Sequence, residues 1–184
     1  DITNPIEQSR MPGSDDSILL TFYNAVAGEI TGLELEGLKN LGAGFFVTGN
    51  LTLADSEITS PDGAGFTNIK RKMTGQSDYM FNGQLGFDSE DGMHTVALAY
   101  NVFGERVYYA SNNNGHDDAF EQPFNSLNIV YSFYPTENLT TKIKIDNILD
   151  EKRRFEQVSS NGDSVTILEQ DVGTSISLDL KYTF

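Results

Sequence analysis

The chain has 184 residues, including 17 Gly, 12 Phe and 8 Tyr, and a formal net charge of -15. Glycine and aromatic residues at this frequency are typical of a single β-domain rather than a helical bundle. A helical membrane protein is excluded because no apolar run approaches the roughly 18 residues of a transmembrane helix. The acidic excess argues against nucleic-acid binding, since phosphates require the opposite charge, and the lack of cysteine excludes disulfides and thiolate metal sites.

The N-terminal part is predicted to form two antiparallel strands. Residues 1 to 7 form an ascending strand, and residues 17 to 39 form one long descending strand with a bulge near Ala27-Gly28. The alternative is two strands that separate at Asn24-Ala25. Counting strands back from a descending final strand makes residues 29 to 38 descend as well. A separate strand at residues 17 to 24 would then have to ascend into a hairpin, and one long descending strand is preferred.

Six later segments alternate between apolar and other residues, which predicts strands with one apolar face. Because successive side chains of a strand point to opposite faces, the remaining positions form a more polar face. With the N-terminal strands, this gives about eight strands. The apolar positions are Phe45, Val47, Leu51 and Leu53; Tyr79, Phe81, Leu85 and Phe87; His94, Val96, Leu98, Tyr100 and Val102; Leu127, Ile129, Tyr131 and Phe133; Leu139, Ile143 and Ile145; and Val172, Ile176, Leu178, Leu180, Tyr182 and Phe184.

The connections alternate in length. Short ones rich in turn-forming residues are predicted at residues 39–42, 89–92 and 134–138. Long polar ones are predicted near residues 58–76, 104–123 and 150–171. Short turns at one end and long loops at the other are typical of outer-membrane β-barrels, with the turns in the periplasm and the loops outside.

Five stretches resemble, in order, the C-terminal barrel of TonB-dependent receptors. They are YNAVAGEITGLELEG (23–37), TGQSDYMFNGQLGFD (74–88), YNVFGERV (100–107), EQPFNSLNIVYSF (121–133) and KIDNILDE (144–151), and the chain ends on an aromatic residue, as the family does. Asp78 stands where the family commonly has Pro.

The resemblance implies an all-β fold in which residues 1–184 are an antiparallel transmembrane β-barrel segment, about eight strands of a barrel of about 22. The N-terminal plug and the earlier strands are absent from this chain. An arc has two unpaired edges that lipid does not satisfy, so we expect the missing strands in the biological molecule.

The implied function is energy-coupled import, across the bacterial outer membrane, of a scarce large nutrient such as a ferric siderophore, a corrinoid or an oligosaccharide. The implied partners are outer-membrane lipid and lipopolysaccharide, the barrel-assembly machinery, the nutrient, and an inner-membrane energy-transducing protein contacted through the missing N-terminal region. Two alternatives are a small closed barrel with an adhesin or structural role and a soluble carbohydrate-binding β-sandwich.

Catalytic chemistry is poorly supported, and we expect neither an enzyme nor a cofactor. The chain has two His and lacks the Gly-x-Ser-x-Gly and His-Glu-x-x-His spacings. His116, Asp117, Asp118 and Glu121 bring oxygen ligands of the kind that hold Ca²⁺ into one predicted loop. A solvated loop tip is preferred, because EF-hand spacing is absent. His94 is expected at the lipid-facing end of a strand and not as a ligand.

Three further groups are candidates for contacts outside the chain. Lys70, Arg71 and Lys72 could meet lipopolysaccharide phosphates or an anionic ligand, although a solvated charge run is preferred. Tyr108 and Tyr109 are assigned to an outer aromatic girdle, with ligand contact as the alternative. The final strand resembles the family's assembly signal, and its apolar residues are Leu178, Leu180, Tyr182 and Phe184.

Overall fold

The computed structural model describes residues 1–12, 18–112 and 116–184. In these ranges the chain is all-β with antiparallel sheets, as the sequence predicts. None of the described residues belongs to a helix with the length and hydropathy of a membrane span. The strands are β1 (Ile2–Thr3), β2 (Ile6–Pro12), β3 (Ile18–Asn24), β4 (Ala27–Gly42), β5 (Phe45–Thr59), β6 (Lys70–Arg71), β7 (Tyr79–Asp88), β8 (His94–Phe103), β9 (Arg106–Tyr109), β10 (Ala119–Glu121), β11 (Phe124–Thr136), β12 (Leu139–Asp146), β13 (Arg153–Val158), β14 (Ser164–Gln170) and β15 (Ser175–Tyr182).

The main sheet is an antiparallel meander of the long strands. Its order is β1-β4-β5-β7-β8-β11-β12-β15, and β6 pairs with β5 to give nine strands in all. Within the described residues, no pairing joins β15 to β1 or β4, so the sheet formed by these strands is open.

The register keeps the predicted apolar positions of neighbouring strands opposite one another. A single row across six strands consists of Val47, Leu85, Leu98, Ile129, Ile145 and Ile176. A slip of one residue in any strand would turn its apolar side chains to the other face. The predicted alternation is therefore confirmed as one continuous apolar face of the sheet.

This apolar face is exposed on β4, β7 and β15 and half-buried on the central strands β8 and β11. Leu33 on β4, Leu85 on β7 and Leu178 on β15 expose 56%, 44% and 63% of their surface. A β-sandwich would bury one face of the sheet against a second sheet. The buried apolar residues instead lie at one end of the sheet, among the long connections; of the described residues they are Ala25, Ile58, Val107, Tyr109, Ala110, Ala119 and Phe155.

The accessible surface agrees with this uncovered sheet. The chain leaves 11327 Å² accessible to solvent for a mass of 20.3 kDa. A compact monomer of that mass would expose about 8,800 Å². The fold therefore differs from a soluble two-layer sandwich.

The β4–β5 turn lies further along the chain than predicted. Gly42, Ala43 and Gly44 have φ of 89°, 49° and 83°. The sequence predicts the turn at residues 39–42, but β4 continues to Gly42. Glycine adopts positive φ without the steric cost of a Cβ, so the two glycines around Ala43 fix the position of the reversal.

The other two short turns lie where they are predicted. After β7, the N–H of Gly92 donates to the carbonyl oxygen of Ser89 at 2.9 Å, and the chain returns as β8. The β11–β12 turn joins Thr136 to Leu139. In an antiparallel meander, these turns and the β4–β5 turn share one end of the sheet, and the long connections share the other.

The N-terminal strands form one hairpin with an interruption. Ile2 pairs with Gly28 in the main sheet, and Ile6 pairs with Asn24 in the separate two-stranded sheet of β2 and β3. Both pairings follow the same register, but the strand breaks at Ala25, which is buried. The predicted long descending strand with a bulge near Ala27-Gly28 is therefore interrupted at Ala25-Val26, slightly before the predicted bulge, and its two parts belong to different sheets.

The long connections, predicted as loops, fold into a second sheet. Its order is β14-β13-β10-β9, and β2 runs beside β9 through backbone hydrogen bonds of 3.1 Å between Ala110 and both Gln8 and Arg10. We call this assembly the loop cluster; it comprises β2, β3 and residues 60–78, 104–112, 116–123 and 147–174. The β10–β13 and β2–β9 contacts escape sequence reasoning because they join short strands across large sequence separations, whereas β13 and β14 form a local hairpin in which Val158 pairs with Ser164.

Candidate functional site

A row of side-chain amides crosses the polar face of the central strands. Asn50, Asn82 and Asn101 lie opposite one another on β5, β7 and β8, and the row continues to Ser126 on β11. Nδ2 of Asn82 donates to Oδ1 of Asn50 at 2.7 Å. Gln84 lies in the adjacent row. Because an amide carries both donors and acceptors without a charge, this row is suited to uncharged polar groups.

The central part of the polar face is nearly free of charge. On the described strands β5, β7, β8 and β11, a single polar-face residue is charged. It is Asp88, at the turn end of β7. Charges flank this region instead: Glu36 lies opposite Asn50 on β4, and Lys142 lies opposite Asp179 on β12 and β15. We call the neutral region the amide face and define it by Thr48, Asn50, Asn82, Gln84, Asn101 and Ser126.

A groove of 520 Å³ lies on the amide face. Ligand pockets typically measure about 300 to 1,000 Å³, so the groove is large enough for a small ligand or part of a larger one. Its polar lining residues are Glu36, Thr48, Asn50, Asn82, Gln84 and Asn101.

An apolar ridge borders the amide face on its loop-cluster side. Met80, Phe103 and Phe124 form the next cross-strand row on β7, β8 and β11. The Phe103 and Phe124 ring centroids are 6.0 Å apart, and the guanidinium carbon of Arg106 lies 3.9 Å from the Phe103 centroid. Cation–π contact with Arg106 holds the Phe103 ring in place. The ridge thus places fixed aromatic surface beside neutral amides.

A buried ion pair joins the N-terminal hairpin to the connection after β5. Nη2 of Arg71 lies 3.0 Å from Oε2 of Glu7, and the two side chains are 4% and 6% exposed. Glu7 Oε2 also accepts from Thr74 N and Oγ1, while Arg71 Nη2 donates to the Tyr23 hydroxyl at 2.6 Å. Removal of either charge would leave its partner buried and unpaired, so the pair fixes how these segments dock.

Asp118 is buried and ties two connections together. Its Oδ1 accepts from the backbone N–H of Ser111 at 2.8 Å, and its Oδ2 accepts from Asn68 Nδ2 at 3.1 Å. Burial raises the pKa of Asp118 above its ordinary value, although both hydrogen bonds oppose the shift. Asn68 also donates to Asp117 at 2.6 Å. Both carboxylates therefore have a structural role in docking the connections.

The candidate calcium ligands, for which the sequence favours a solvated loop tip instead, do not converge on one point. Glu121 is buried and accepts from Arg106 Nε at 2.7 Å and from Arg153 Nη2 at 2.6 Å, whereas Asp117 and Asp118 bind Asn68. The backbone oxygen of His116 accepts from Thr67. Within the described ranges, there is no group of three or more His, Cys, Asp or Glu side chains able to hold a metal ion.

The three predicted basic residues each pair with acidic side chains. Besides the buried Arg71, Lys70 contacts Glu57 at 2.6 Å, and Lys72 contacts Asp78 and, at 3.4 Å, Asp55. The hydrogen bonds to Glu57 and Asp78 raise the pKa of Lys70 and Lys72. The three residues line a cleft of 560 Å³ that also contains Asp78, Glu105, Asp117 and Asp118, so the cleft does not present a purely basic surface to a phosphate.

The two adjacent tyrosines belong to the loop cluster. Tyr109 is 3% exposed, so the girdle assignment is wrong for it: the second sheet covers it. Tyr108 is half-buried, and its ring centroid lies 4.5 Å from that of buried Phe155. Packing within the cluster accounts for both positions.

The final strand presents its predicted apolar residues to the surface. Leu178 and Leu180 expose 63% and 69%, and the Tyr182 and Phe184 rings meet edge-to-face with centroids 5.0 Å apart. His94, at the turn end of β8, stacks on Phe133 and hydrogen-bonds through Nδ1 to the Tyr131 hydroxyl at 2.8 Å. These contacts pack the His94 ring against β11 at the turn end of the sheet.

Sequence alternation places Asn50, Asn82 and Gln84 on the polar face of their strands, but it does not single out Asn101. Their neutrality was readable in the sequence, but the amide row depends on a register between strands that the sequence does not specify. Comparisons with models of protein families, with curated proteins and with solved structures give no significant match.

Proposed function

We propose that this chain forms part of the wall of an outer-membrane TonB-dependent receptor that imports a scarce large nutrient. The observation that carries the proposal is the exposed apolar face, which keeps its parity across every pairing from β4 to β15. Soluble monomers rarely expose apolar surface of this extent. A strand that crosses a bilayer, in contrast, requires an apolar side chain at every second position.

The dimensions of the apolar face support this assignment. On β7 it extends from Tyr79 to Phe87, and the paired segment of β5 extends from Leu53 to Phe45. Eight residue steps at 3.3 Å cover about 26 Å along the strand, or roughly 20 Å of height at the usual barrel tilt. The Phe45 and Phe87 rings, 4.7 Å apart, mark one end and Tyr79 marks the other, as aromatic girdles do in outer-membrane barrels.

The open edges of the sheet also bear on the proposal. An unpaired strand edge costs several kcal/mol per backbone group in hydrocarbon. We therefore propose that further strands, from a longer form of this chain or from another chain, complete the wall beside β4 and β15. The proposed partners are lipopolysaccharide, an inner-membrane energy-transducing protein and the assembly machinery. The assembly machinery would recognise β15 together with Phe184, which follows it.

Membrane fractionation tests the proposal. The protein is produced with its natural flanking sequence in a Gram-negative host, and membranes are washed with alkaline carbonate, separated by density and analysed on SDS gels with and without boiling. We expect sedimentation with the outer membrane, resistance to the wash and a change of gel mobility on boiling. Recovery of folded protein in the soluble fraction would contradict the proposal.

A further inference from the structure

We propose that the amide face binds a neutral polyhydroxylated ligand of the oligosaccharide class. This inference rests on the proposed function, since it assigns the nutrient class of that receptor. Its starting point is the absence of charge at the centre of the polar face, in a chain of which 21% of the residues are charged.

Hydrogen-bonding capacity on this face exceeds what the fold uses. Asn82 and Asn50 share one hydrogen bond of 2.7 Å, which leaves the other polar atom of each amide available. Gln84 and Asn101 form no side-chain hydrogen bond with any described residue. Amides that present paired donors and acceptors match the vicinal hydroxyls of a sugar, which also donate and accept.

The apolar ridge supplies the second requirement of sugar binding. A pyranose ring has an apolar face of C–H groups, which packs on aromatic surface because the faces of aromatic rings are electron-rich. Phe103 and Phe124 lie one row from Asn101 and Ser126, about 7 Å along the strands. These rings lie outside the groove, so an oligosaccharide that extends from the groove towards the loop cluster would meet aromatic surface and amides at the same time.

Charge distinguishes this ligand class from anionic nutrients. Lys142 and Lys144, the basic residues of the polar face on β12, lie beyond β11 and are accompanied by acids: Lys142 is opposite Asp179, and Lys144 contacts Asp146 at 2.9 Å. Glu36 contributes a negative charge to the groove. An anion at the amide face would gain no ion pair and would be repelled by this carboxylate, whereas a neutral sugar is not repelled.

Calorimetric titration of the full-length protein in detergent tests the assignment. The probes are maltohexaose, cellohexaose and xylohexaose as neutral oligosaccharides and hexagalacturonate as an anion of equal length. We expect at least one neutral probe to bind and hexagalacturonate not to bind. Binding of none of the neutral probes, or tighter binding of hexagalacturonate, would overturn the assignment.

Variants locate the site. Combined Asn82→Ala and Asn101→Ala should weaken binding of the neutral probe by about tenfold or more, because two hydrogen-bonding side chains are lost. Gln84→Ala, which removes no hydrogen bond of the fold, provides a second variant should the double variant fail to fold. Lys142→Gln, on the same face, is the matched control and should bind within about twofold of the wild type.

Unchanged affinity in both amide variants would overturn the site. Failure to reach the outer membrane would instead contradict the proposed function, and fractionation measures that without any sugar. The two failures are therefore distinguishable.

Discussion

Arginine substitutions on adjacent residues of β7 separate a lipid-facing wall from a water-facing sheet. Leu85 lies on the apolar face between Val47 and Leu98, whereas Gln84 lies on the amide face and forms no side-chain hydrogen bond with a described residue. Leu85→Arg places a charge in hydrocarbon if the face contacts lipid. Gln84→Arg keeps a polar side chain on the polar face.

The position of Leu85 sets the expected magnitude. Arginine costs about 2 to 4 kcal/mol at the bilayer midplane and less towards the interfaces. Leu85 is two residues, or about 7 Å along the strand, from the middle of the apolar span between Tyr79 and Phe87. We therefore expect Leu85→Arg to lower the free energy of unfolding by about 2 to 3 kcal/mol, and Gln84→Arg to change it by less than about 0.5 kcal/mol.

Reversible urea unfolding in lipid vesicles measures both values. The folded fraction is read from the gel mobility of unboiled samples, because the chain has no tryptophan. Equal losses for the two variants would indicate two buried faces and would refute the assignment of the apolar face to lipid. A loss below about 0.5 kcal/mol for Leu85→Arg would indicate a face in water and would refute it as well.

Three further predictions concern the turns and the loop cluster. In urea unfolding, Gly44→Ala should destabilise the protein by about 1 to 3 kcal/mol more than Gly42→Ala. A Cβ at Gly44 would lie 2.1 Å from a backbone oxygen, whereas one at Gly42 meets nothing within 4 Å. Equal losses would contradict the turn geometry. Arg71→Leu should cost about 3 to 5 kcal/mol by leaving a buried carboxylate unpaired, and Lys70→Leu, at an exposed pair, should have little effect; similar effects in the two would disprove the burial argument. The native pKa of Asp118 is raised above 3.8, so the folded chain binds this proton more tightly than the unfolded chain does. The melting temperature of the wild type relative to Asp118→Asn should therefore rise as pH falls from 7 through the raised pKa, and level off below the unfolded pKa. A pH-independent difference would refute the shift.

The main sheet could be predicted because its physical rule is local. Side chains alternate along each strand, so residues such as Leu85 and Gln84 are assigned to opposite faces without knowledge of any neighbour. The short turns follow from local chemistry as well. The reversal at Gly42–Gly44 lies after its predicted place because turn-forming residues occur both before and after Leu41. Only the pairing of β4 with β5 selects the later position.

Apart from the local β13–β14 hairpin, the loop cluster could not be predicted, because its interactions are long-range. Arg71 reads as one member of a basic run, yet its partner, Glu7, precedes it by 64 residues. Tyr109 reads as an interfacial aromatic residue until the second sheet covers it. Composition and alternation carry no information on such pairings, and the strands concerned are too short to show a clear period.

The most direct test of the membrane topology is cysteine labelling in intact cells. The chain has no native cysteine, so Asp62→Cys and Ser160→Cys at the loop end and Glu90→Cys and Glu137→Cys at the turn end each provide one thiol at an exposed position. With a membrane-impermeant maleimide, we expect labelling of the first two in intact cells and of the last two only after the outer membrane is permeabilised. Labelling of the turn-end thiols in intact cells, or of none of the four until the cells are lysed, would contradict the placement of this sheet in the outer membrane.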